Sequence, residues 1–197
     1  MFAQLDTKSV YSFMDSVVDL NSYVARAKEL GYQALGLMDR DNLYAAYHFA
    51  QLASRNGLRP LIGMEANLFY EGRKIPFRLL AKNNQGYKNL MKLATKLSSG
   101  QRELTAFSDY LNAIALILPS EDWESGMTLG SEVFIGVRPE DAGKEFDYPV
   151  VPLHTVRYFE NSDRSTIQML HAISQNVSLS EASICPMNQL LFSPQEM

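Results

Sequence analysis

Apolar positions along this chain fall into two alternating rhythms. Short β-type runs are followed by stretches with apolar residues three and four apart, the spacing of one helix face. Residues 1–5 read as a first strand. Residues 20–30 predict a helix with Leu20, Val24, Ala27 and Leu30 on one face, Asn21 as its cap and Gly31 as its stop. Residues 34–38 predict a second strand, and residues 43–56 a second helix closed by Asn56-Gly57. A longer strand follows over 59–70, with Glu71-Gly72 turning it into another over 75–81. Residues 84–97 predict a helix with Tyr87, Leu90, Met91 and Leu97 toward the core.

The rhythm persists beyond Ser98-Ser99-Gly100. Residues 105–111 predict a short helix, and 113–118 a strand so apolar that both its faces are buried. A helical turn over 120–127, a strand over 132–137, a short helix over 139–144, a strand over 148–153 and a final helix over 163–173 complete the pattern. Strand–helix alternation implies an α/β fold with a largely parallel sheet or barrel. Seven strands favour a distorted, TIM-barrel-like (β/α)7 barrel over a doubly wound sheet. The 197 residues are expected to form a single domain. The closing Leu191-Phe192-Ser193-Pro194-Gln195-Glu196-Met197 reads like the start of a further element, so 1–197 is expected to be the N-terminal fragment of a longer chain.

Composition narrows the function classes. Hydrophobic residues make up 46% and charged residues 20%, ordinary for a globular protein, and the net charge of −4 offers no basic stripe for non-specific nucleic-acid binding. The lone Cys185 excludes an intrachain disulfide and fits a reducing, cytoplasmic setting. No run reaches membrane-spanning length, and no basic-then-apolar leader opens the chain. Neither a G-x-G-x-x-G after a strand nor a G-x-x-x-x-G-K-[ST] is present, so nucleotide binding by those routes lacks support.

Parallel α/β folds gather functional groups at the C-terminal ends of their strands. Those ends supply Asp6 and Lys8, then Asp39 and Arg40, then Glu65, and last His154, Thr155 and Arg157. In a barrel these converge on one cleft. The motifs around them resemble the polymerase and histidinol phosphatase (PHP) family, in the branch found at the N-terminus of bacterial DNA polymerase III alpha subunits. Phe2 to Ser16, with Ser9, Tyr11-Ser12 and Asp15, is similar to its first motif. Ala27-Lys28-Glu29-Leu30-Gly31 with Leu35-Gly36-Leu37-Met38-Asp39 resembles the second, and Leu58-Arg59-Pro60-Leu61-Ile62-Gly63-Met64-Glu65 the third. Leu79-Leu80-Ala81-Lys82-Asn83 with Gly86-Tyr87-Lys88-Asn89-Leu90 resembles the fourth, and Pro149-Val150-Val151 through Arg157-Tyr158 the fifth. The resemblance spans almost the whole chain in order and is weakest between Gln101 and Tyr148.

Active members of the family hold a cluster of divalent metals on histidines and carboxylates and hydrolyse phosphoesters. Carried over by position, the histidine-x-histidine pair falls on Asp6 and Lys8. The threonine-aspartate-histidine motif falls on Met38, Asp39 and Arg40, and the late aspartate-x-histidine pair on Thr155 and Arg157. A further histidine falls on Pro76, while Glu65 is an acidic ligand that survives. Arginine and protonated lysine have no lone pair to give a metal. The resemblance therefore implies a catalytically inactive PHP barrel with no catalytic residue, no metal and no cofactor of its own. Lys8, Arg40 and Arg157 are expected to replace the metals by pairing with Asp6, Asp39 and Glu65; side chains left in solvent are the alternative. The parent chain would be a DNA-directed DNA polymerase, a nucleotidyltransferase of DNA replication using magnesium in a palm domain absent here. This domain's partners would be the rest of that chain and other replisome proteins, with DNA reached through the parent chain.

Two other readings compete. One is an active phosphoesterase or 3′–5′ exonuclease with atypical ligands; the other is an independent protein-binding module. Among features set aside, His48 and His171 fall on helices with no second ligand at helix spacing, and His154 has no partner base. Glu121, Asp122 and Glu124 read as a solvated helix start, and Lys88, Lys92 and Lys96 as a solvated stripe.

Overall fold

The computed structural model describes residues 3–130 and 132–182. Cys185 and the closing Ser193–Met197 segment lie outside them. Among the described residues nine strands and four α-helices follow one another. They are β1 (Ala3–Gln4), β2 (Asp6–Thr7), α1 (Leu20–Glu29), β3 (Ala34–Leu37), α2 (Ala46–Arg55), β4 (Arg59–Tyr70), β5 (Arg73–Ala81) and α3 (Asn84–Ser98), then β6 (Ile114–Pro119), β7 (Val133–Val137), β8 (Val150–Pro152), β9 (Thr155–Val156) and α4 (Asp163–Gln175). The chain divides into two compact units. One comprises Met1–Arg40, Tyr44–Leu61 and His154–Met197; the other comprises Asp41–Leu43 and Ile62–Leu153.

In the first unit the strand pairs are parallel. Ala3 and Gln4 pair with Ala34 and Leu35, while Asp6 and Thr7 pair with Thr155 and Val156. The second pairing joins residues about 150 positions apart and seats two site positions side by side. Helix α1 buries Leu20, Tyr23, Val24 and Ala27. Its cap is Asp19 rather than Asn21: Asp19 Oδ1 accepts from the amides of Asn21 and Ser22, each at 3.0 Å. The helix begins at Leu20, the first residue of the predicted span, and its cap lies two residues before the one expected, because the Asp19 carboxylate takes two of its free amides. Gly31 ends it at φ +82°, where a side chain would be strained. Tyr23 is fully buried, stacked against Phe49 at 5.9 Å and Phe159 at 6.4 Å between ring centres. Its hydroxyl donates to Gly36 O at 3.0 Å and accepts from Thr7 Oγ1 at 2.9 Å. Burial drives the Tyr23 phenol far above its ordinary pKa, so the hydroxyl stays a neutral tie between α1, β2 and β3.

The second unit is built on β4 and β5, an antiparallel pair running from Gly63 opposite Leu80 to Tyr70 opposite Arg73. Glu71 at φ +50° and Gly72 at φ +77° make the tight turn, as two-residue hairpins require. Strand β6 pairs antiparallel with β5, and β6, β7 and β8 pair parallel. The largely parallel sheet expected from the alternation thus gives way at β4–β5–β6. A two-residue turn can only reverse the chain, so the hairpin imposes antiparallel pairing. All six residues of β6 are buried, as its continuous apolar run predicts. Helix α3 is capped by Asn83 and buries Leu90, Leu93 and Leu97. Met91, expected in that core, is 43% exposed, because the buried line runs through 90, 93 and 97 and leaves 91 on the outer flank. The helical stretches expected near 105, 120 and 139 are 3-10 turns, Leu104–Tyr110, Ser120–Asp122 and Pro139–Asp141. Strand β9 is two residues long and leaves no periodicity to read. Among the described residues no helix is long and apolar enough to cross a membrane.

Candidate functional site

Six of the seven positions singled out in the sequence lie in the first unit: Asp6, Lys8, Asp39, Arg40, Thr155 and Arg157. Asp6 and Thr155 open β2 and β9, whose parallel register sets them against each other, while Lys8, Asp39 with Arg40, and Arg157 follow the ends of β2, β3 and β9. Two backbone bonds hold the strand ends together. The Lys8 amide donates to Val156 O and the Met38 amide to Thr7 O, each at 2.9 Å.

At the centre, Asp6 and Lys8 are both fully buried. Lys8 Nζ lies 2.7 Å from Asp6 Oδ1 and donates to Met38 O at 2.6 Å. Thr155 Oγ1 donates to the other carboxylate oxygen, Asp6 Oδ2, at 2.7 Å. Gln4 Nε2 donates to the backbone carbonyls of Asp6 at 3.1 Å and His154 at 2.6 Å. His154 joins this corner through its backbone carbonyl. Asp6 receives a cation and a hydroxyl in place of solvent, which is what a buried carboxylate needs.

Asp39 has neutral partners. Ser9 donates through its amide to Oδ1 and its hydroxyl to Oδ2, and Ser12 donates its hydroxyl to Oδ1, all at 2.7 Å. Among the described residues no cation reaches this carboxylate, contrary to the expected pairing. Charge-assisted bonds from three donors satisfy it as well as a guanidinium would. Ser12 Oγ also accepts from the Arg40 amide at 3.1 Å, pinning the loop after β2 to the loop after β3.

The two arginines converge on Asp15, a carboxylate outside the seven candidate positions. Arg40 Nη2 lies 2.9 Å from Asp15 Oδ2, and Arg157 Nε 3.1 Å from Asp15 Oδ1. His171, on α4, brings its Nε2 to 3.4 Å from the same Oδ1. Asp15 is 5% exposed, so it is a buried hub for groups from three separate segments. The spacing Ser9-x-x-Ser12-x-x-Asp15 was the available signal, since three-residue steps through a tight turn bring polar side chains back to one side. The histidine could not be found that way, because α4 meets this loop only through tertiary structure.

Glu65 belongs to the second unit. Arg78 faces it across the β4–β5 pair, with Nη2 at 3.4 Å from Glu65 Oε2 and both side chains buried. Arg78 Nη1 also donates to the carbonyl of Pro76, at 2.6 Å. Arg78 is thus a cation the sequence reading missed; period-two alternation on a hairpin would have placed it opposite Glu65.

An ammonium sits at hydrogen-bond distance from the Asp6 oxygen that would ligate, and Asp39 is filled by hydroxyls and an amide. Among the described residues no group of three histidines, cysteines or carboxylates comes together in a metal-holding arrangement.

Comparison with known proteins places this geometry in context. The chain is 44% identical over its whole length to a DNA polymerase III subunit alpha from Streptococcus pyogenes serotype M1, of which it covers 19%. It is 25% identical, over 99% of its length, to the DNA polymerase III subunit alpha of Aquifex aeolicus, covering 22% of that protein. The chain thus spans about a fifth of the length of these curated relatives. Among solved structures it is similar to an amidohydrolase from Chromobacterium violaceum, at a TM-score of 0.42 and 19% identity, over 50% of this chain and 34% of that one. The PHP domain profile matches residues 4–128, a span containing β2 through β6 and the Asp6, Asp15, Asp39 and Glu65 carboxylates. The chain belongs to the PHP domain family.

Proposed function

We propose that this chain is a catalytically silent PHP domain of a DNA polymerase III alpha-type replicative polymerase, in which ion pairs and hydroxyl donors stand where active relatives of the fold hold metals. The observation that carries this reading is the Lys8–Asp6 pair, fully buried and 2.7 Å apart. A dication would have to displace that ammonium and tolerate Arg40 and Arg157 nearby, while finding no imidazole lone pair to bind.

Its role is then structural and docking: it braces the rest of the polymerase chain and offers surface to other replisome proteins. Residues 1–197 act as one domain of a cytoplasmic protein. DNA synthesis, with its magnesium, belongs to palm residues elsewhere in the parent chain. The full identity span with the streptococcal alpha subunit supports that parentage.

Elemental analysis of the purified chain, paired with a nuclease assay on single-stranded DNA and a phosphoesterase assay, tests the reading. Substoichiometric zinc and manganese with no hydrolysis is expected. Stoichiometric metal with hydrolysis abolished by Asp6→Asn would overturn it in favour of an active phosphoesterase.

A further inference from the structure

Helix α4 carries its own weight inward through Ile167 and Ala172, and its outer side is unusual. Met169 is 48% and Ile173 63% exposed, one turn apart on the same face. The chain past the helix extends this patch. Asn176 takes the left-handed conformation at φ +53°, and the Val177 amide turns back to Ala172 O at 3.1 Å. Gln168 Nε2 donates to Leu179 O at 3.2 Å, holding the returning segment beside the helix. Val177 at 39% and Leu179 at 50% exposure therefore join Met169 and Ile173. From Ser165 to Ser180 no Asp, Glu, Lys or Arg occurs. Charge depletion around contiguous exposed aliphatic residues is the mark of an interface core, whereas a solvated helix face is laced with charge.

We infer that this α4 face is an intramolecular docking surface, covered by an apolar face of the polymerase chain beyond this domain. The inference rests on the parentage proposed above. Relatives matching the whole of this chain carry about four-fifths of their length outside the matched region, so the required surface is covalently supplied and held at high effective concentration. The four apolar side chains call for an apolar partner, since charged groups facing them would lose water without gaining a counter-ion; Glu181, whose carboxylate accepts from the Ser178 amide and hydroxyl, is an acidic group held on the same segment. His171 sits on the same helix and reaches Asp15, so docking there would bear directly on the ion-paired cluster.

Methionine oxidation tests the surface on the native chain. Met169 and Met91 have similar exposure, 48% and 43%, and Met91 lies on α3 in the other unit as an internal reference. Sulfoxide formation by dilute peroxide is followed by peptide mass spectrometry in the 197-residue chain and in the gene's full-length product. Met169 should oxidise at a rate comparable to Met91 in the short chain and at least fivefold more slowly than Met91 in the full-length product. Equal rates for both residues in the full-length product would overturn the docking surface while leaving the parentage intact. A gene product with no polymerase sequence overturns the parentage itself. Met169 protection already present in the short chain would also refute the proposal, pointing to a second copy if it rises with concentration and to the chain's own residues 183–197 if it does not. Ile173→Glu provides a second readout: an unchanged melting temperature in the short chain, and faster Met169 oxidation in the full-length product.

Discussion

Replacing Lys8 by methionine isolates the central ion pair. Lys8 and Asp6 are completely buried with 2.7 Å between Nζ and Oδ1. At an effective dielectric of about 20 their attraction is about 6 kcal/mol, and the burial of each ion costs several kcal/mol, so the intact pair contributes little net stability. Breaking it is different. Lys8→Met keeps most of the apolar volume of the side chain but removes the ammonium from Asp6 Oδ1 and from Met38 O, while the Thr155 hydroxyl stays on Asp6 Oδ2. An uncompensated buried charge costs about 3–5 kcal/mol. For a chain of this size that lowers the melting temperature by roughly 6–20 °C. The double variant Asp6→Leu with Lys8→Met removes both charges and should recover most of the loss. Thermal melts at pH 7 of the wild type, both singles and the double measure the coupling. A single Lys8→Met whose melting temperature moves by less than about 2 °C, or a double variant no more stable than the singles, would refute the argument that this pair is desolvated and mutually compensated.

Other expectations are smaller or more local. Asp15→Asn leaves Arg40 and Arg157 facing a neutral amide and should cost about 2–4 kcal/mol in urea unfolding, while Asp15→Ala should cost at least as much; no loss in either would show the hub to be solvated. Gly36→Ala would bring a methyl within 2.0 Å of Leu5 O, a backbone atom, and should destabilise by more than about 3 kcal/mol or abolish soluble expression, whereas Gly31→Ala meets open space and should cost about 1 kcal/mol. Asp141 is held at a pKa of about 2, below its ordinary 3.8, first by the Lys144 ammonium and then by the Ser120 hydroxyl. Its contribution is complete above about pH 4 and is lost as pH falls toward 2; Lys144 is 60% exposed, so screening limits it to on the order of 1 kcal/mol. The stability gap between wild type and Asp141→Asn should therefore close over that window, and a constant gap would contradict it.

The elements with strong periodicity were legible. Strand β4 spans the predicted 59–70, its turn sits at Glu71-Gly72, and α3 begins at the predicted residue. What escaped lacks a local signature. Strand β9 exists because two residues find a distant partner in β2, and Met91 misled because a helix flank can hold an apolar residue at little cost. In the site, the strand-end rule gathered Asp6, Lys8, Asp39, Arg40, Thr155 and Arg157 into one unit. The partners were harder: charge sign alone suggests pairing every cation with Asp6, Asp39 or Glu65. Geometry instead gave Asp39 to serines and brought Arg40 and Arg157 to Asp15, because loop 9–16 folds back over the strand ends.

The Lys8–Asp6 pair also bears on the routes by which the sequence could change. A histidine placed at position 8 would be too short to serve both Asp6 Oδ1 and Met38 O, the two acceptors Nζ reaches at 2.7 and 2.6 Å. It would strand a buried carboxylate before any metal had the remaining ligands to bind. Histidines at 40 and 157 would likewise remove guanidinium donors from Asp15 one at a time. Each single step toward a metal-ligating set is thus destabilising when taken alone, and only a concerted change at several positions avoids the loss. Such a cluster behaves as a ratchet, tolerant of drift at its rim and resistant to reversal at its centre.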